Sequence, residues 1–275
     1  MNPSTTAQAT LYHLRFAPPA AEGGPIVFAF SDPTPWQAVG ESEHLSAPPT
    51  NEAFPVDERL DILVLPPALR DDIRWRKGTA AWLARLGQPE ALSVQAGEIQ
   101  VSWQPGRALI AAPPAQALTA LEAVVDFAYF ENKLSEVEKE IASAWPAVEA
   151  DTPLAYNIVA SDLSRDKEIG QCVRRLFQIR MRHARIQLHL ARPPARFSRP
   201  ARELGEGLRE AALCEERVES ADGQIEAQEH VYEMASQRLG EFRHARQGFL
   251  LETIIIVLLA IEVILMIFGI FWHFE

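Results

Sequence analysis

The residue most unusually placed for chemistry is Glu262. It lies at the centre of Thr253 to Trp272, twenty residues that are otherwise Ile, Val, Leu, Met, Phe, Ala, Trp, one Gly and one Thr. A carboxylate there is about ten residues, or roughly 15 Å of helix, from either end of the run. A short glutamate cannot reach water from that depth, and an ionised acid at a bilayer centre costs about 3 kcal/mol. Two readings follow. In one the acid is simply tolerated and protonated. In the favoured one it faces another helix, and the simplest partner is Glu262 of a second copy, because two carboxyl groups donate and accept reciprocally once one is protonated. Gly269, two turns further along the same face, would let the helices approach closely.

A second candidate is a run of positive charge. Residues 165–202 carry eleven Arg and Lys against two acids, Asp166 and Glu168. Arg174, Arg175, Arg180, Arg182 and Arg185 could form a basic surface for RNA, anionic lipid or an acidic protein. Residues 203–229 reverse the balance with nine acids, and residues 122–151 carry eight. The favoured alternative is therefore that the basic helix lies between two acidic ones and is paired within the chain. Only Phe177 and Phe197 could serve as stacking platforms for bases. The net charge of −11 argues against a general nucleic-acid binder.

Residues able to do catalysis are present but not arranged for it. There is no GxxxxGK[ST], no GxGxxG after a strand, no GxSxG and no HExxH. The seven histidines are scattered, and His183 and His189 stand six apart, which is not a helical metal-ligand spacing. Acidic pairs such as Glu215-Glu216 belong to solvated helix faces. Cys172 and Cys214 are isolated thiols of the reduced, cytosolic kind. The expectation is a protein that is not an enzyme, with no catalytic, cofactor or metal residues.

The elements that must position these residues give an α+β chain. Residues 1–113 read as a small, β-rich α/β domain, with strands in ATLYHLRF (9–16), GPIVFAF (24–30) and RLDILVLPP (59–67). The stretch SDPTPWQAVGESEHLSAPPTNEAFP between them reads as loop. ALRDDIRWRKGTAAWLARLG (68–87) predicts one helix ending at Gly87. Residues 91–114 predict three strands with tight turns at Ala96-Gly97 and Pro105-Gly106. The helical domain occupies 115–200, with a first helix broken at Pro146 and Pro153 and a second over 164–190 capped by Ser164. After the linker RPPARFSRP, a helix from about Arg202 makes a stalk over 201–250 and continues into a membrane anchor over 251–275. LGEGL (204–208) reads as a flexible start to that helix.

The stalk has a period. Val218, Ala221, Ile225, Gln228, Tyr232, Ala235, Leu239, Phe242, Arg246 and Phe249 alternate at three- and four-residue spacing, as in a coiled-coil seam or one face of a bundle. The seam could pack on the chain's own helices or on a second copy. The twenty-residue run spans about 30 Å as a helix, the thickness of a bilayer's hydrocarbon core. Residues 1–16 lack the basic start and apolar run of a signal peptide, so the expected arrangement is a single-pass tail anchor with the rest of the chain in the cytoplasm. Arg243 and Arg246 precede the span, His273 and Glu275 follow it, and Trp272 stands where an interfacial aromatic would. Glu252 is the other membrane-proximal acid.

The helical half resembles the required-for-meiotic-nuclear-division family, also called YagE-like, a family catalogued as a domain of unknown function. The resemblance rests on Ala117 to Ile141 with Phe130-Glu131, and on Leu176 to Phe197 with Arg180, Leu188-His189 and Pro193. It rests also on Arg243 to Leu265, with Leu251-Glu252 and Ile261-Glu262-Val263. It covers about residues 115–275; in the first half only GPIVFAF is similar to a family strand. The chain departs from the family at Arg196-Phe197-Ser198-Arg199 and at Thr253. The resemblance implies a membrane-anchored, non-enzymatic, homo-oligomeric scaffold; composition without a transit peptide implies a bacterial inner-membrane member facing the cytoplasm. The alternative is a tether or adaptor for ribosomes or RNA through the basic helix 165–202.

Overall fold

The computed structural model describes residues 8–19, 24–31, 35–50, 59–84 and 90–272, with side chains described as far as Met266. Seven strands precede most of the helix. They are β1 (Ala9–Ala17), β2 (Ile26–Phe30), β3 (Trp36–Leu45), β4 (Leu60–Leu65), β5 (Leu92–Ala96), β6 (Ile99–Gln104) and β7 (Arg107–Ala111). They form one sheet in the order β2-β3-β1-β4-β7-β6-β5. Every pairing is antiparallel except β4 with β7. The chain is an α+β protein with a long final helix, as its sequence pattern predicts.

β4 is central, and all six of its residues are buried, so LDILVL needs no polar alternation. One sheet face carries Ala9, Leu11, Leu63 and Leu65 against Trp75, Trp82 and Leu83 of helix α2 (Ile73–Leu83). The other face meets the first part of helix α3 (Pro114–Asp151). There Trp36 stacks on Tyr129 with ring centroids 3.9 Å apart, and Trp103 meets Phe127 edge-on at 5.2 Å. The expected strands at 91–111 are β5 to β7. The Pro105-Gly106 turn suits a type II geometry, since Gly106 has φ +79° and proline fixes the preceding position.

Six local expectations are corrected. The segment read as loop after Asp32 contains the ten-residue strand β3, whose Trp36, Gln37, Ala38 and Val39 are buried between β2 and β1. Its second half, GESEHL, is mostly exposed and polar, so it carries no apolar alternation. The helix expected over 68–87 is two: a turn α1 (Pro67–Arg70), then α2, which Asp72 caps by accepting from the backbone N–H of Arg74 and Trp75. The expected stop at Gly87 lies outside the described residues. Helix α3 continues through Pro146 to Asp151. A proline inside a helix costs about 3 kcal/mol, and burial of the apolar Ala144 and Val148 on either side works against that cost.

Two short 3₁₀ turns follow, Thr152–Ala155 and Ala160–Arg165, and α4 begins at Asp166 and ends at Ala191. Ser164 does not cap it; its hydroxyl donates to the Ser161 carbonyl at 2.8 Å. The final helix is not continuous from Arg202. Helix α5 (Arg199–Ala211) stops, Leu213 takes a left-handed φ of +51°, and α6 (Cys214–Trp272) starts, with the Leu213 carbonyl accepting from Arg217. LGEGL lies within α5 and is packed: a Cβ on Gly207 would stand 2.6 Å from Val94 Cγ1.

The chain divides into two compact units. The first comprises Met1–Glu140 with Met181–Asp222, and the second Ile141–Arg180 with Gly223–Glu275. In the first, Val218 and Ala221 of the seam are buried; in the second, Ile225, Gln228, Tyr232, Ala235 and Leu239 are buried too. From Val218 to Leu239 the period is therefore spent on the chain's own packing. Beyond that point Phe249 is 72% exposed.

Candidate functional site

The predicted span is the last part of α6. From Phe249 to Met266 every described side chain is exposed, Glu252 and Glu262 included. An isolated helix with apolar side chains on all sides is unfavourable in water, because each buried Leu or Ile is worth about 1.5–3 kcal/mol. Among the described residues this is the one helix long and apolar enough to cross a membrane. Gly269 and Trp272 belong to the α6 backbone; the Trp272 side chain lies outside the described residues, as do His273 and Glu275. Arg243, ahead of the span, pairs with Asp166 at 2.8 Å, and Arg246 is exposed.

The basic residues of α4 divide between two fates. Arg180 reaches Glu229 on α6 at 2.8 Å, and Arg182 grips Glu140 of α3 through both terminal nitrogens. Arg165, at the end of the second 3₁₀ turn, pairs with Asp151 and Glu168. Arg175 donates to the Ser143 hydroxyl at 3.0 Å. Arg174 and Arg185 are exposed and in no ion pair among the described residues. The acidic–basic–acidic order along the chain thus becomes pairing within each unit. Exposed pairs of this kind contribute about 0–1 kcal/mol each, so they set helix register more than stability.

The sheet brings together a charged row that sequence reasoning missed. His13 of β1 stands opposite Asp61 of β4, and Asp61 stands opposite Arg107 of β7. His13 Nδ1 lies 2.7 Å from Asp61 Oδ1, and Nε2 lies 3.4 Å from Glu43 of β3. Arg59 Nε donates to the same Asp61 oxygen at 2.6 Å. Arg107 is wholly buried; it donates to the Trp82 carbonyl near the end of α2 and lies over the Trp82 ring at 5.3 Å. A cation there satisfies one of the helix's last carbonyls. These side chains border a cleft of about 290 Å³ that Pro48, Pro49 and Thr50 also line. Within the row the two buried groups, Asp61 and Arg107, are of opposite sign, which is the arrangement burial demands. A signal was available: Asp61 is one acid inside an otherwise apolar strand.

The remaining buried charges are structural in placement. Glu131 and Glu138 both receive Arg217, at 3.2 and 2.7 Å. Burial pushes the Glu131 carboxyl up from its ordinary value, against the opposing pull of Arg217. Burial also raises Cys214 to about 11. Burial and a hydrogen bond with Cys172 raise Tyr232, whose hydroxyl donates to Asp151 at 3.2 Å. No group of three or more His, Cys, Asp or Glu placed to hold a metal ion occurs among the described residues.

These features define an α+β protein with a seven-stranded sheet and a terminal apolar helix. No family model matches the chain, and no curated protein matches it. Among solved structures it is similar to one described as the full-length CmaX protein, at 14% identity and a TM-score of 0.37, over 92% of this chain and 83% of that one.

Proposed function

We propose that this protein is a membrane-anchored, non-enzymatic scaffold that holds its sheet-containing unit at a membrane surface and assembles with further copies of itself. The observation that carries the reading is α6. One continuous helix is packed within the chain as far as Leu239 and then presents apolar side chains on every side from Phe249 to Met266. A lipid environment supplies the burial that the chain does not. The motif resemblance in the helical half agrees with an anchored, non-catalytic role. Self-association is supported by Glu262, whose depth in the span favours a carboxyl-bearing neighbour. The adaptor reading is the weaker one, since Arg180 and Arg182 are already engaged with Glu229 and Glu140.

Deleting residues 251–275 is the direct test. The shortened chain should leave the membrane fraction in a carbonate wash that retains the full-length protein. Retention of the shortened chain would overturn the anchor.

A further inference from the structure

The connection between α3 and α4 is built unlike a solvated loop. Thr152 to Ser161, TPLAYNIVAS, contains no charged residue in a chain of which 23% is charged. Leu154 and Ala155 are buried and fix the turn, while Tyr156 is 73% and Val159 51% exposed. The backbone between them is held in place. Tyr156 and Asn157 both donate to the Pro153 carbonyl, and Asp162 accepts from the Val159 N–H at 2.9 Å. The exposed aromatic and aliphatic side chains are therefore displayed on a fixed turn.

The second unit also locates this turn along α6. Asp151, just before it, meets Tyr232, and Asp166, just after it, meets Arg243 at 2.8 Å. Arg243 precedes Leu251 by eight residues, or about 12 Å of helix. The headgroup layer takes up about 5–7 Å of that distance. The chain leaves α3 beside Tyr232 and re-enters α4 beside Arg243, so the two 3₁₀ turns, of four and six residues and rising about 2 Å per residue, form the membrane-facing end of this helix pair. Tyrosine favours such a boundary, because its ring is apolar and its hydroxyl stays hydrated.

We propose that the α3–α4 turn is a second membrane contact, with Tyr156 and Val159 seated in the phospholipid headgroup region of the bilayer that α6 enters. The proposal rests on the reading of residues 251–272 as a span. The occupant is the lipid interface rather than an acidic or basic partner, because the turn itself is uncharged. Arg165, Lys167, Arg243 and Arg246 supply cations around it, and Asp162, Asp166 and Glu168 supply balancing acids. Binding through the turn is therefore insensitive to anionic lipid. Its effect is to fix the angle at which the helices leave the bilayer, as a single flexible anchor would not.

The test uses full-length protein in phosphatidylcholine vesicles with an environment-sensitive amino acid encoded singly at Tyr156, Phe177 or Val257. Phe177 is exposed, lies in the same unit near Arg180, which meets Glu229 well before the span, and is the aqueous reference. A nitroxide on the lipid headgroup should remove more than about half of the emission at 156, and nitroxide in the acyl chain should do the same at 257. Position 177 should be unaffected by either. Quenching at 257 with none at 156 overturns the turn contact and leaves the anchor standing. Absence of quenching at 257 overturns both. A Tyr156→Ser, Val159→Ser variant probed at Asn157 should lose its headgroup quenching while 257 keeps its own; unchanged quenching at 157 would also overturn the contact.

Discussion

Arg209 and Asp126, on α5 and α3, form a buried ion pair with Nη2 2.8 Å from the carboxylate, and neither side chain is more than 5% exposed. The same guanidinium donates to the carbonyls of His189 and Gly205 at 2.9 and 3.0 Å. One side chain therefore ties α3, the end of α4 and α5 together in the first unit. Burial pushes the Asp126 carboxyl above its ordinary 3.8, and Arg209 pulls against that rise.

Arg209→Met should destabilise the protein by about 3–5 kcal/mol, because it leaves a buried carboxylate without its cation. The loss should shrink as the pH falls. With Arg209 gone the folded-state value rises further, so the folded chain holds a proton that the unfolded chain releases. That contribution is complete below the unfolded value and is lost as pH rises through the folded one. Denaturant melts at pH 5 and pH 8 check this; an equal loss at both would contradict it. Adding Asp126→Asn should recover part of the stability at pH 8.

Gly40 has no room for a side chain. A Cβ there would stand 1.8 Å from the His13 carbonyl oxygen, opposite Leu14 in the β1–β3 pairing. Gly40→Ala should cost about 3 kcal/mol or more, since a backbone oxygen in a paired strand cannot move aside as a core side chain does. Gly170→Ala is the matched comparison. Nothing lies within 4 Å of its Cβ position in α4, and the change should stabilise by up to about 1 kcal/mol. Thermal denaturation of the two variants should move in opposite directions.

The two thiols should separate kinetically. Cys214 is buried and its thiol is pushed up to about 11, so little thiolate exists at neutral pH. Cys172 is half-buried. Native protein titrated with a thiol reagent at pH 8 should release one equivalent quickly and the second only on unfolding. Arg217→Ala leaves Glu131 and Glu138 without their cation and should hasten the second equivalent by making unfolding easier.

Glu262 is the point at which self-association is exposed to test. Glu262→Gln keeps a group that donates and accepts, so chemical crosslinking in membranes should yield the same oligomer as the parent. Glu262→Leu should reduce that product while improving membrane insertion, because it removes a cost of about 3 kcal/mol. Undiminished crosslinking of the Leu variant would remove the acid from the interface.

What the sequence determined by itself was wherever a pattern is set by one chain direction and one solvent boundary. The apolar run from Thr253 to Trp272, the seam from Val218 to Leu239, and the strands of LDILVL and residues 92–111 are of this kind, since period and composition alone decide them. Tertiary structure decided what depends on a neighbour distant in sequence. β3 is a strand because β1 and β2 pair with it, although GESEHL has no strand pattern. α3 passes Pro146 because burial offsets a lost backbone hydrogen bond, and the break at Leu213 falls among good helix formers. The charged row of His13, Asp61 and Arg107 exists only once three strands lie in register, because residues 13, 61 and 107 share no local pattern. The arginines of α4 were visible as a block, but whether each was free or paired depended on helices 40 to 50 positions away, as with Arg182 to Glu140 and Arg180 to Glu229. Local sequence carries propensity and period; pairing across such separations is an energy of the folded chain, and only the fold assigns it.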